Sequence, residues 1–161
     1  MKPTDASLQR GSKLRIPPII IAILAAGLMW AAARLALPFR FAIPGRGFLA
    51  ALFLMSGAAI ALLGVLAFRR AKTTVNPIKL ECVSRLVVSG IYRVTRNPMY
   101  LGFLVMLIGV AIWSANALAF LALPGFILVM NRLQIEPEER TLRARFGDQY
   151  ALYEKRVRRW L

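Results

Sequence analysis

NPMYLGFLVMLIGVAIWSANALAFLALPGFILVMNRL, residues 97–133, decides the fold. It is apolar over 98–114 and again over 116–133, with no charge before Arg132. Asn97 stands where a helix N-cap belongs, and Pro98 takes the first helical position, where proline is favoured. Asn116 opens the second run in the same way, so Ser114-Ala115-Asn116 leaves room only for a tight turn. Two apolar helices joined so closely form an antiparallel hairpin. Both runs are short for a bilayer span, which predicts that the hairpin's functional end sits at or below the membrane interface.

Upstream, residues 16–37 form a longer apolar run with Arg34 as its one charge, placed near the end where it can snorkel to the interface. Pro38, Pro44 and Gly45 break the chain, and residues 48–68 form another run with no charge at all. At about 1.5 Å per residue, each of these two crosses a hydrocarbon core of roughly 30 Å. A secretory signal peptide is a poorer reading of the first run, which is too long and is followed by further spans. Gly57 and Gly64, with several alanines, would let a neighbouring helix approach closely.

Downstream, residues 134–161 are amphipathic: Leu142, Phe146, Tyr150, Tyr153, Val157 and Trp160 recur at three- and four-residue steps. The opposite face is dense in Arg and Lys, as in a helix lying on a membrane surface. Gly147 is expected to end one helix and Asp148 to cap the next. The expected fold class is all-α: a polytopic membrane protein of four transmembrane helices plus a C-terminal amphipathic helical segment, in a single domain spanning residues 1–161. Between spans two and three, residues 71–98 are polar, with turn signals at Asn76-Pro77 and Ser89-Gly90. A loop of that length in so small a chain is usually functional.

The 161 residues carry 22 Lys and Arg against seven Asp and Glu, a net charge of +15. The hydrophobic share of 58% exceeds the roughly 45–50% of soluble chains. The basic residues cluster at 2–15, 69–96 and 132–159, always beside apolar runs, where they fix topology and attract anionic head groups. That placement argues for membrane lipids as partners and against nucleic acid. It predicts an integral membrane protein with residues 1–15 as a cytoplasmic tail and both termini cytoplasmic. The single Cys82 cannot form an internal disulfide, and with no histidine there is no His base or His-ligated metal. So few acids also argue against a carboxylate metal centre. The chemistry must need little acid–base machinery, as when a cofactor carries its own leaving group.

Three patches are candidates for chemistry. In GIYRVTRNPMYLG, residues 90–102, Tyr92, Arg93, Arg96, Asn97 and Tyr100 surround a helix start that would attract an anion, with tyrosines able to stack on a base or face a cation. Equally, Asn97 is a cap and the tyrosines and arginines an interfacial belt. In IEPEERTL, residues 135–142, three glutamates could hold an ammonium or ribose, or merely complement a helix dipole. FGDQYALYEKRVRRWL, residues 146–161, reads as a surface anchor, with an added role as a lid.

RNPMYLG followed by EERTL and FGDQYALY, with TTVNP at residues 73–77, resembles the isoprenylcysteine carboxyl methyltransferase family in its prokaryotic, integral-membrane form. Phospholipid methyltransferases show a looser version of the pattern. The resemblance covers residues 69–161 and implies a prokaryotic inner membrane and an S-adenosyl-L-methionine pocket between the hairpin and the C-terminal segment. Carried over by position, Ser84, Arg85, Leu86, Val87, Tyr92, Asn97, Pro98, Met99, Tyr100 and Glu138 are the expected cofactor contacts. Gln134 stands where eukaryotic members have an Arg near the substrate, which makes it a substrate-binding candidate. Asn97 replaces their His and Pro77 a cofactor-contacting Gln. No metal and no particular catalytic residue is implied. The expected function is methyl transfer to a lipophilic small molecule or lipid, foremost carboxyl O-methylation of an isoprenylcysteine-like acceptor. Phospholipid or amine N-methylation, thiol S-methylation and a non-catalytic membrane scaffold are the alternatives.

Overall fold

The structure is a computed structural model and describes residues 16–71 and 86–161. Its helices are α1 (Pro18–Leu35), α2 (Arg46–Arg70), α3 (Pro98–Ser114), α4 (Ala117–Met130), α5 (Glu136–Phe146) and α6 (Asp148–Arg156). Short 3-10 turns lie at Leu37–Phe39 and Gly90–Arg93, and no strand occurs among the described residues. The tail at 1–15, the TTVNP segment and Cys82 lie outside the described residues.

Large apolar side chains face outward, Phe48 and Met55 each 74% exposed, with Ile23, Leu28, Leu121 and Leu128 among the others. Such a surface suits a hydrocarbon surround. Three helices are long and apolar enough to cross a membrane: Pro18–Leu35, Arg46–Arg70 and the continuous stretch Ala117–Phe146. The fourth apolar helix, α3, has 17 residues and a length of about 26 Å. It packs against α2 on one side and against α1 and α4 on the other.

The α2–α3 contact is the closest in the bundle. A Cβ on Gly57 would lie 2.5 Å from the Gly102 carbonyl oxygen, and one on Gly102 would lie 2.6 Å from that of Gly57. Gly64 abuts Pro98 and Met99, while Gly109 abuts Ala50 and Leu54. The contacts run in opposite directions along the two helices, which are therefore antiparallel. Glycines seven apart on each helix let the backbones touch, as the Gly57 and Gly64 spacing anticipates.

At the other end of the bundle Asn116, fully buried, fastens the turns together. Its Oδ1 accepts from the Leu118 N–H at 3.0 Å, capping α4 as expected, and its Nδ2 donates to the Ala36 carbonyl at 2.8 Å. The Arg40 guanidinium donates to the Ala33 carbonyl at 2.9 and 3.1 Å, supplying a partner at the end of α1.

Four expectations need correction. Asn97 occupies the N-cap position of α3, but its side chain accepts no capping bond; its amide instead donates to the Arg159 carbonyl at 2.9 Å. The fourth apolar run does not stop near residue 133. It passes through a π-turn at Asn131–Ile135 directly into α5, with the Glu136 N–H reaching the Asn131 carbonyl. The wider turn accommodates Pro137, which has no N–H and would crowd the carbonyl four residues back in a regular α-helix. Asp148 is the first residue of α6 and makes no capping bond; Gly147, at φ 48°, makes the turn. Finally, the apolar face of residues 142–157 is not offered to a membrane surface: Tyr150, Tyr153 and Val157 are buried against one another with Leu86, Leu142 and Phe146.

Gly102→Ala is expected to lower stability by about 1–3 kcal/mol, because its methyl meets backbone and cannot be accommodated by a rotamer change. Gly125→Ala, where a Cβ has nothing within 4 Å, is expected to be neutral or slightly stabilising. Unfolding of both variants in detergent checks the contrast.

Candidate active site

The hairpin brings the start of α3 back to the α4–α5 junction. Tyr100, the third residue of α3, is buried, and its hydroxyl donates to Glu138 Oε1 at 2.5 Å across 38 residues of sequence. Tyr92, in the 3-10 turn, is also buried, and its ring meets Phe68 of α2 edge-on at 5.3 Å. Its carbonyl accepts from the Tyr153 hydroxyl at 2.7 Å, tying the turn to α6. Burial pushes the Tyr92 phenol well above its ordinary range, with the charges of Tyr153 and Glu138 adding to the effect. Tyr92 thus stays neutral at physiological pH.

Between these tyrosines, the loop 95–97 is strapped down by the chain beyond α6. The Arg96 N–H donates to the Arg158 carbonyl at 3.0 Å. Thr95 Oγ1 and Asn97 Nδ2 donate to the Arg159 carbonyl at 3.3 and 2.9 Å. Trp160 Nε1 donates to Asn131 Oδ1 at 3.1 Å, anchoring the strap in the π-turn. Around it lies an ion network. Glu139, 3% exposed, receives a two-pronged bond from Arg159 at 2.6 and 3.1 Å, with Arg96 at 3.2 Å and Arg143 at 3.7 Å. Glu154 accepts from Arg96 and, at 2.7 and 2.8 Å, from Arg143. Among the described residues, Arg96 Nε alone is a buried side-chain polar atom without a partner.

The expected site residues divide as follows. Tyr100 and Glu138 come together, while Tyr92 lies in the turn held by Phe68 and Tyr153. Pro98 is buried and Met99 half-buried, both against Gly64. Asn97 turns to the strap. Val87 is buried, and Leu86 packs with the α6 tyrosines. Gln134 is buried, and its amide donates to the Ile16 carbonyl at 2.6 Å. Ser84 and Arg85 lie outside the described residues. Sequence reasoning missed the network of Arg96, Glu139, Arg143, Glu154 and Arg159. The four-residue step from Glu139 to Arg143 was its one local signal.

An apolar helical bundle whose hairpin meets a charge-lined helical cap is the arrangement of an integral membrane protein. The sequence model of the phospholipid methyltransferase family matches residues 46–149, and the chain belongs to that family. It is 48% identical over 63 residues to an uncharacterized protein of Haemophilus influenzae, an alignment covering 39% of this chain and 100% of that protein. It is 36% identical over 104 residues to a probable protein-S-isoprenylcysteine O-methyltransferase of Oryza sativa subsp. indica, covering 63% of this chain and 53% of the other. Against protein-S-isoprenylcysteine O-methyltransferase B of Arabidopsis thaliana it is 32% identical over 88 residues, covering 55% and 45%. The chain therefore spans about half the length of these plant relatives. No solved structure matches it. The resemblance carried by RNPMYLG, EERTL and FGDQYALY is borne out.

The bonds from Arg143 and Arg96 hold the Glu154 carboxyl below its ordinary value of 4.5. A carboxyl more acidic in the folded than in the unfolded chain stabilises the fold at neutral pH, and that contribution fades as pH falls through the lowered value. Glu154→Gln is expected to be less stable than the parent at pH 7, with the gap narrowing steadily below pH 4.5. Unfolding midpoints measured across that range check it.

Proposed function

We propose that this protein is an S-adenosylmethionine-dependent methyltransferase that methylates a lipophilic acceptor at the membrane, foremost at a carboxylate. The bond between Tyr100 and Glu138 carries the reading, because it joins two of the family's motifs, RNPMYLG and EERTL, at one point. The residues there suit a zwitterionic nucleoside cofactor. The first-turn N–H groups of α3 are left uncapped and, with Arg96 Nε, suit a carboxylate. Glu138 suits an ammonium or a ribose, and the neutral rings of Tyr92 and Tyr100 suit a cation or a base. Leu86 and Val87, with Ser84 and Arg85, are assigned to the same pocket from the family pattern, as are Asn97, Pro98 and Met99.

When bound, the cofactor supplies an electrophilic methyl group together with its own leaving group. The chain then has to orient, exclude water and place charge. The strap over residues 95–97 fixes the loop that would face the cofactor. A carboxylate acceptor is ionised at neutral pH and asks for no base. An amine acceptor would have to lose a proton; Glu139 is ill-suited to take it while held by Arg159, Arg96 and Arg143, which leaves Glu138 as the candidate base. Needing no base is what favours O-methylation over N-methylation. Gln134, held by Ile16, is the proposed acceptor-side residue.

We further propose four spans, α3 being the short one, with both termini cytoplasmic in a prokaryotic inner membrane. Reporter fusions after Arg70 and at Leu161 are expected to report the cytoplasm, and a periplasmic signal from either breaks the topology. Glu138→Gln is expected to weaken S-adenosylmethionine binding roughly tenfold or more, the loss of one charge-assisted bond, while leaving the protein folded. Calorimetry, with transfer of labelled methyl into a membrane lipid extract, checks both cofactor and acceptor. Unchanged affinity removes Glu138 from the site.

A further inference from the structure

Apart from the Tyr100–Glu138 contact, a cavity of about 610 Å³ opens between the segment 86–93 and α6. Its lining is Leu86, Val88, Tyr153, Leu152 and Val157, with Arg93, Arg156 and Gln149 as the polar members. The Tyr153 hydroxyl is already committed to the Tyr92 carbonyl. No carboxylate lines the cavity among the described residues. Elsewhere at this end of the molecule Arg96, Arg132, Arg140, Arg143 and Arg159 all pair with glutamates. Arg93 and Arg156 pair with no acid among the described residues, and both face the same hollow. They are exposed, so the unmatched charge is available from outside.

The hollow is also apolar where a soluble anion would want water. Val88 is 44% exposed and Leu152 54% exposed on its rim. Its position follows from Tyr92, adjacent to Arg93, whose ring rests on Phe68 in the last turn of α2. That turn is where an apolar span gives way to Arg69 and Arg70, the level of lipid head groups. Two guanidiniums with no acid partner among the described residues, and an amide beside exposed aliphatic side chains, at head-group depth, match an amphipathic anion.

We propose that this cavity binds the head group of an anionic phospholipid, with Arg93 and Arg156 on the phosphate, Gln149 on the glycerol end, and Val88 and Leu152 against the first methylenes. Basic pockets at such depth commonly hold anionic lipids, each cation adding to affinity. The site ties α6, and through Tyr153 the turn carrying Tyr92, to the bilayer surface. It adjoins the proposed cofactor pocket, to which Leu86 is also assigned, but it does not require that methyl transfer occur.

The test is titration of the full chain, in neutral detergent and without cofactor, with dihexanoylphosphatidylglycerol, dihexanoylphosphatidylcholine or inorganic phosphate, read as a saturable change in melting temperature. Only the phosphatidylglycerol is expected to give one, and Arg93→Gln/Arg156→Gln is expected to weaken it roughly tenfold to thirtyfold. Arg69→Gln/Arg70→Gln, which removes the same charge outside the cavity, is expected to retain most of the affinity. Equal weakening in the two double variants would reduce the effect to general surface charge and overturn the site. An equal response to phosphate or to the phosphatidylcholine would overturn the lipid assignment. Loss of the response in saturating S-adenosylmethionine would assign the cavity to the cofactor and overturn it as well.

Discussion

The structure depends first on the backbone contact between α2 and α3 at Gly57 and Gly102. In a hydrocarbon surround, burying a leucine gains nothing that lipid does not already provide, so helices associate through close packing rather than through exclusion of water. Removing the side chains at Gly57, Gly64, Gly102 and Gly109 converts two apolar rods into one interlocked pair. Helix α1 and helix α4 then complete the wall around α3, with Met29, Leu107, Phe126 and Met130 filling the centre. Helix α3, the 17-residue one, is the helix the others enclose. Its N-terminus stands beside Gly64, before α2 ends at Arg70.

The charged end is held by a different physics. Glu139 and Glu154 are each shared among arginines from separate segments: the 95–97 loop, α5 and the strap after α6. No single pair is decisive, but a network closes segments far apart in sequence around one loop. Backbone carbonyls of Arg158 and Arg159 complete the closure, so part of the strap's hold is independent of its side chains.

What could be read from the sequence follows the same division. The tight turn at Ser114-Ala115-Asn116 and the close approach at Gly57 and Gly64 were legible, because small residues, breakers and caps have local causes. Asn97 looked like a cap for the same reason, yet its amide donor, rather than its acceptor, found the partner, and that partner lies 62 residues away. Asn131 to Pro137 looked like a helix ending and a new one starting, since proline after an acid suits a first turn. A π-turn solves the same steric problem without a break. In the candidate site, Tyr100 and Glu138 each stood out as motif members, and the hairpin explains their meeting. The arginine network did not stand out, because in a chain with 22 basic residues a functional arginine has the same spacing as a topological one.

The unbroken helix Ala117–Phe146 has a mechanical consequence. Thirty residues make a rod of about 45 Å, longer than the hydrocarbon is thick, with Glu138 mounted beyond the apolar part. A loop at residue 134 would have let the glutamate find its own depth. A continuous rod does not: an apolar stretch responds to a thicker or thinner bilayer by changing its tilt, and Glu138 swings with it. Tyr100 is bonded to that carboxylate and α3 is packed on α4, so the depth of their contact is set by how the packed helices sit in the bilayer rather than by a local loop.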